Sequence, residues 1–288
     1  MARSATPVVQ QRRLRAELRK VREDAGITQK KVAGDLGWSL SKVIRLETGA
    51  TAFQTSEVMA LVHYYGITDQ ATVNDLLQVT RSTASSWWDE YSEYYDQQFL
   101  NFLAYEDSAA TIRQFQALAI PGLLQTREYA SSVFSGYAYE PERHKRAIDV
   151  RLRRQHLLDR DGGPIMSFIL DEAVILRWVG DAEVMRNQLI RLKEINDLGD
   201  DSIGIRVVPF TAGVNMSMKG SFTIFEYDSD DEDYIIDVEE PRNDVLIRDN
   251  PETSSNYVEA FLALEDIALP KTDSTKLISA AIKQIGGS

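Results

Sequence analysis

The apolar positions of the first eighty residues recur at helical spacing. Leu14, Leu18 and Val21 share one face of a helix expected over residues 9–25. Val32, Ala33 and Leu36 form a second short stripe, and Val43 and Leu46 a third. Val58, Leu61 and Val62 mark a helix over residues 57–65 that Gly66 ends, and Val73, Leu76 and Leu77 mark one over residues 71–79. The residues between the stripes are equally informative. Thr28 and Ser39 stand where a hydroxyl can accept an orphaned backbone N–H of the following helix. Gly37, within Leu36-Gly37-Trp38, supplies the freedom for a sharp reversal. Two short helices joined by a tight turn are thus predicted, and the second leaves Leu40, Ser41, Lys42 and Arg45 outward. That is a small polar and basic face of the kind that enters a DNA major groove. An ordinary helical hairpin would share the stripes and the glycine. It would not need the caps, the outward basic residues and the flanking helices together.

Beyond residue 86 the pattern changes. Helical periodicity covers residues 97–106, 123–134, 142–159 and 181–198, the last with Val184, Leu189, Leu192 and Ile195 inward. Alternation and β-branching predict strands at 165–170, 203–209, 221–227 and 234–239, with a short one at 244–247. The strands at 221–227 and 234–239 read as a hairpin joined by the acidic loop 228–233. Two terminal helices, 252–267 and 272–285, are separated by Pro270. Small polar residues at 81–86 mark a linker. The expected fold is therefore multidomain. An all-α five-helix bundle over residues 9–80 is followed by an α+β domain over residues 87–285, with a mainly antiparallel sheet and C-terminal helices.

Charge sharpens the picture. The chain carries a net −12, yet residues 1–50 hold 11 Lys/Arg against 5 Asp/Glu, and residues 51–288 hold 21 against 39. An evenly acidic chain would be repelled by phosphate, whereas here a basic head is attached to an acidic body. Within the head, Thr28 and Gln29 sit at a helix N-terminus, where side chain and helix dipole both suit a phosphate. Lys30, Lys31 and the run Arg12, Arg13, Arg15 are expected on the DNA backbone as well. Leu40, Ser41 and Arg45 are expected at base edges, Arg45 on guanine and Leu40 on a thymine methyl, with Lys42 able to serve either role.

Thr28-Gln29, Ala33, Gly37, Ser39, Lys42-Val43, Arg45-Leu46-Glu47 and Gly49, in this order, resemble the helix-turn-helix of Xre-type (lambda/434 repressor-like) DNA-binding domains. The resemblance implies a five-helix bundle and a bridge between Arg22 and Glu47 that locks the recognition helix. The two groups suit a pair of parallel hydrogen bonds. A second resemblance runs through the rest of the chain. It is carried by Glu106 and Ala110, Ile-Pro-Gly-Leu-Leu-Gln-Thr at 120–126, Tyr129-Ala130, and Arg151-Leu152-Arg153-Arg154-Gln155 with Leu157-Leu158. Asp171-Glu172-Ala173, Gly180, Met185, Gln188-Leu189, the stretch Arg206-Val207-Val208-Pro209-Phe210 and Ser221-Phe222-Thr223 continue it. Together these are similar to the uncharacterised C-terminal domain of actinobacterial WhiJ-like, Scr-type Xre regulators. That resemblance implies a transcriptional regulator, often antitoxin-like, encoded beside a small partner protein. In its most specific piece, Pro121 presets a turn and Gly122 frees the next residue before the helix. Such a segment either presents helix amides to an anion or forms a strand-to-helix corner, and the corner is the preferred reading.

An aromatic cluster follows the linker: Trp87, Trp88, Tyr91, Tyr94, Tyr95, Phe99, Phe102 and Tyr105. Trp87, Trp88, Tyr91 and Tyr95 are candidates for a ligand or partner surface, and helix packing is the plainer reading. There is no Cys, which excludes disulfides, zinc knuckles and thiol chemistry. The histidines are His63, His144 and His156, and no HExxH, GxSxG or Walker loop occurs. Asp228, Asp230, Glu232 and Glu239 mimic a calcium-loop spacing, but Asp233 stands where such a loop requires Gly. No cofactor or metal is expected. No apolar run is long enough to span a bilayer and no signal-peptide core appears, so a cytoplasmic protein is expected.

Three functional classes fit. The first is a DNA-binding regulator, repressor or antitoxin-like, whose C-terminal domain binds a small protein partner. The second is a one-component sensor whose C-terminal domain binds a small molecule. The third, an enzyme with a DNA-binding head, lacks a catalytic constellation, and a non-enzyme is expected. One recognition helix covers only a few base pairs. A homodimer on a near-palindromic operator is therefore expected, assembled through the second domain or the helix at 71–79.

Overall fold

The computed structural model describes residues 6–81, 86–137, 140–198, 202–227, 234–240, 245–247 and 250–286. The chain forms two compact units, Met1–Ser108 and Ala109–Ser288. The expected linker at 81–86 falls within the span of the first unit, and its residues 82–85 lie outside the described residues.

The first unit contains α1 (Pro7–Asp24), α2 (Gln29–Leu36), α3 (Leu40–Thr48), α4 (Thr55–Tyr65), α5 (Gln70–Arg81) and α6 (Gln97–Ser108). The caps form as their residue types dictate. Thr28 Oγ1 accepts from Lys31 N at 3.2 Å, and Ser39 Oγ accepts from Lys42 N at 3.1 Å. Gly37 ends α2 in the left-handed region at φ 66°, which a side-chain-bearing residue adopts only at a cost. The stripes of α1 to α5 converge on one core of Leu14, Leu18, Val32, Ala33, Val43, Leu46, Phe53, Val58, Leu61, Val62 and Leu76. Val73 and Leu77 are half-buried against it. The sixth helix belongs to this unit as well. Thr6 N donates to Ser108 Oγ at 3.0 Å and Thr6 Oγ1 to Ala104 O at 3.3 Å, tying the start of α1 to the end of α6.

The second unit runs β1 (Thr111–Gln116), α7 (Arg127–Gly136), α8 (Pro141–Arg154), α9 (His156–Asp159), β2 (Ile165–Asp171), α10 (Glu172–Leu176), α11 (Ala182–Asp197) and β3 (Ile203–Val208). It continues with β4 (Phe222–Glu226), β5 (Tyr234–Val238), β6 (Val245–Ile247), α12 (Pro251–Ile267) and α13 (Lys271–Gly286). The six strands form one mixed sheet in the order β3-β2-β1-β4-β5-β6. β1–β2 and β2–β3 are parallel, and the other three pairings are antiparallel. The parallel half requires long crossovers, supplied by α7 to α9 and by α10 and α11. β1, at the junction of the two halves, is a strand that the sequence pattern did not predict. The β4–β5 pairing has the hairpin register Phe222↔Val238. The acidic loop 228–233 lies outside the described residues, and with it Asp228, Asp230, Glu232 and Asp233; so does Asp244.

One face of the sheet, with Phe115, Ile169, Phe222, Ile224 and Ile236, packs against Ala260, Phe261 and Leu264 of α12. The open edge at β3 is closed by side chains and by the chain beyond α12. Asn196 exchanges two hydrogen bonds with Ile205, at 2.9 and 3.0 Å. Leu269 N donates to Val207 O at 2.8 Å, and Val207 N donates to Ser274 Oγ at 3.0 Å. An edge whose backbone groups are spent in this way offers no template for another strand.

Candidate nucleic-acid interface

The helix-turn-helix is held by a buried ionic lock. Arg22 Nε donates to Glu47 Oε1 at 2.7 Å and Arg22 Nη2 to Glu47 Oε2 at 2.9 Å, a two-bond pairing between α1 and α3. Arg22 Nη1 also donates to Ile27 O at 2.9 Å, so one guanidinium fixes the turn before α2 and the rotation of α3 together. The hydrogen bond to Glu47 holds the Arg22 pKa above its ordinary value against the effect of burial. Tyr65 lies beside this lock. Burial pushes its phenol up to about 12, and the Glu47 charge adds to the shift.

With α3 locked, its exposed side is defined. An α-helix turns about 100° per residue, so positions 40, 44, 48, 41 and 45 sweep one continuous arc. All five are exposed, while Val43 and Leu46 are buried on the opposite side. The arc contains the expected Leu40, Ser41 and Arg45. It also contains Ile44 and Thr48, which the sequence reading missed. The available signal was their spacing of four and eight from Leu40, which places them near the middle of the arc. Lys42 is not on it. Its ammonium pairs with Glu57 of α4 at 2.8 Å and lies 4.3 Å from the centre of the Trp38 ring. Lys42, expected at bases or phosphates, is thus held sideways by Glu57 of the next helix and by Trp38, one turn before it.

The residues expected on phosphates divide in the same way. Thr28, Lys30 and Lys31 are exposed around the start of α2. Lys31 Nζ is engaged by Asp35 Oδ2 at 2.9 Å, which also accepts from Tyr64 OH at 2.6 Å. The hydrogen bonds from Tyr64 and Lys31 hold the Asp35 carboxyl below its usual range. Gln29 turns inward instead, its Nε2 donating to Glu47 Oε2 at 2.8 Å, and so completes the lock. Arg12 and Arg15 are only 7% and 9% exposed, and Arg13 is half-buried. α1 is packed by the bundle and also tied to α6, and Arg12, Arg13 and Arg15 have little outward surface, whereas Arg19 is exposed. The Arg15 guanidinium lies so close to Gly49 that a Cβ there would come within 2.8 Å of its Cζ. It therefore sits at the C-terminus of α3, where a cation suits the helix dipole. Gln29, Arg12 and Arg15 are thus structural in their placement and not exposed phosphate ligands.

Residues 13–85 match a family model described as a helix-turn-helix domain, and residues 99–280 match the family described as "Domain of unknown function (DUF5753)". The chain belongs to the DUF5753 family. No curated protein and no solved structure matches it. The helix-turn-helix marks a DNA-binding regulator. Among the described residues of this DUF5753 protein, no helix is long and apolar enough to cross a membrane.

The segment 120–126, most specific in the sequence, lies inside the DUF5753 match. Pro121 to Gln125 are all buried. Gln125 Nε2 donates to Ile120 O at 2.7 Å, and Gln155 Nε2 donates to Gly122 O and Gln125 O at 3.1 and 2.7 Å. Gln188 Nε2 donates to Leu124 O at 2.8 Å, and its Oε1 accepts from Thr126 N at 2.7 Å. A Cβ on Gly122 would collide with Arg151 Nη1. The carbonyls of Ile120, Gly122, Leu124 and Gln125 and the amide of Thr126 are thus bonded within the unit, which is the geometry of a braced corner between β1 and α7.

Of the aromatic candidates, Trp88 and Tyr91 turn inward, and Trp87 and Tyr95 are half-buried. Trp88 and Tyr91 are buried, which corrects their assignment to a ligand or partner surface. With Trp87, Tyr95, Phe99 and Phe102 they make a ladder of ring contacts. The Trp87–Trp88 centroids are 5.5 Å apart and Tyr95–Phe99 4.6 Å.

Proposed function

We propose that this DUF5753 protein is a sequence-specific transcriptional regulator of the WhiJ-like, Scr-type group, acting as a repressor or antitoxin-like regulator in the cytoplasm. It binds a near-palindromic operator in duplex DNA as a homodimer. Its C-terminal domain meets a small protein partner encoded nearby, and its work is binding without turnover. The observation that carries the reading is the exposed arc Leu40, Ser41, Ile44, Arg45 and Thr48, presented by a helix that Arg22, Glu47 and Gln29 lock in place. A narrow helix whose free side mixes two hydroxyls and a guanidinium with two aliphatic side chains suits a major groove. The basic excess of residues 1–50 supports the same reading. The partner rests on the resemblance carried by residues 120–126, 151–155 and 206–210.

The test is a fluorescence-anisotropy titration of the DNA upstream of the protein's own reading frame, at two salt concentrations, with wild type and Arg45→Ala. Tight binding that weakens with salt and with Arg45→Ala is expected. The reading is overturned if neither that DNA nor a random duplex pool shows salt-sensitive, Arg45-dependent binding, with or without the neighbouring small protein.

A further inference from the structure

We propose that Leu40 and Ile44 form a paired apolar reader for the C5-methyl groups of thymine, so that the operator half-site carries a thymine pair opposite the first turns of α3. The proposal rests on the DNA-binding reading above and deepens it. Leu40 is 42% exposed and Ile44 40%, on a helix whose other apolar residues, Val43 and Leu46, are buried. Both sit on one flank of the exposed arc, one helical turn apart, with Arg45 on the opposite flank and Ser41 and Thr48 between. Neither packs into the core of its unit, whose members lie on the other side of α3.

The major groove offers donors, acceptors and a single apolar group, the thymine methyl. A branched aliphatic side chain entering that groove gains free energy only by covering this methyl or the sugar edge beside it. Side chains one turn apart on a helix have Cβ atoms roughly 6 Å apart, and successive bases on one strand are about 3.4 Å apart. The pair therefore spans neighbouring or next-but-one thymines. Lys42 lies off this flank by helical phase, and Glu57 and Trp38 hold its ammonium there. The division of labour follows: Arg45 reads a polar edge, and Leu40 and Ile44 read methyls.

The full-length protein is used to select half-sites from a random duplex pool. Each thymine of the selected site is then replaced by deoxyuridine, which removes only the methyl. Wild type is expected to lose about fourfold in affinity at each of two thymines, the worth of one buried methyl. Ile44→Ala and Leu40→Ala should each abolish sensitivity at one of those thymines and keep it at the other. Ile44→Val should retain both. A circular-dichroism melt confirms that each variant is folded. An enriched site with no deoxyuridine sensitivity, or alanine variants that keep the wild-type pattern, overturns the methyl reader and leaves the regulator standing. A pool with no enrichment, with or without the neighbouring small protein, overturns both.

Discussion

Two segments of this chain are dense in recognisable residues, and they end in opposite surroundings. In the helix-turn-helix, polar side chains bind one another behind α3. Arg22, Glu47 and Gln29 close a network on the inner side and leave five residues free on the outer side. In the corner at 120–126, the polar side chains of Gln125, Gln155 and Gln188 close on the segment's own backbone and leave nothing outward. A short motif of high specificity thus has two physical origins. One is a surface that must be presented, the other a turn whose amides and carbonyls must be satisfied where water is excluded. Burial separates them, and burial is decided by neighbours distant in sequence.

The largest expected effect tests the lock. The side chains of Arg22 and Glu47 are both nearly inaccessible, so removing one leaves the other a buried, unpaired charge. Arg22→Ala should lower the stability of the first unit by about 3–5 kcal/mol in a denaturant melt. DNA binding should fall with it, because α3 loses its anchor. A loss under about 1 kcal/mol, the range of exposed pairs, would show that the lock is not dry. Next, Gln188→Ala removes one donor and one acceptor from the corner and should cost about 2–3 kcal/mol. Operator affinity, measured well below the melting transition, should be unchanged. If affinity falls as it does for Arg22→Ala, the contrast between a presented and an internal motif fails.

What was legible in the sequence follows the same division. The caps at Thr28 and Ser39, the glycine turn and the apolar stripes are local, and they give the helical bundle. The strands β2 to β5 also show in alternation and β-branching. β1 escaped because Thr-Ile-Arg-Gln-Phe-Gln carries Gln114 and Gln116 at buried positions, which breaks the apolar alternation of a half-buried strand. Gln116 is satisfied by Glu239, a residue more than a hundred positions away. The parallel pairing of β1, β2 and β3 likewise depends on partners across long crossovers, for which no local residue codes. In the head, the inward turn of Gln29 and the sideways turn of Lys42 depend on Glu47 and Glu57. Helical phase alone could have found Ile44 and Thr48. It could not have found the burial of Arg12 and Arg15, since Arg15 is covered by Gly49 at the end of α3, a neighbour distant in sequence.

A finer test of the outward face compares its two cations. Arg45→Ala should cost about 1–2 kcal/mol in operator binding and relax preference at one base position. Lys42→Ala should change preference at no position and reduce stability by less than about 1 kcal/mol, the worth of a partly exposed pair. Selection from a randomised half-site measures both. Relaxed preference with Lys42→Ala would place that side chain back in the groove and break the division drawn by Glu57 and Trp38.

The smallest effect asks whether the setting of the lock is as dry as the corner. The phenol of Tyr65 is pushed from its ordinary value of 10.0 up to about 12, first by burial and then by the Glu47 charge. A raised value means that the folded state keeps the proton more tightly than the unfolded chain does. Below pH 10 the phenol is neutral in both states, and its contribution to stability is fully present. Between pH 10 and about 12 the unfolded chain releases the proton first, so stability falls as pH rises through that window. Subtracting the alkaline phenolate absorbance of Tyr65→Phe from that of wild type isolates this group among the 12 tyrosines. A difference titration centred near 12 is expected, with the Tyr65→Phe variant losing less stability across the window. A midpoint near 10 would mean that water reaches the Tyr65 side of the Arg22–Glu47 pair. The lock would then be a solvated bridge, unlike the corner, and the large cost assigned to Arg22→Ala would shrink with it.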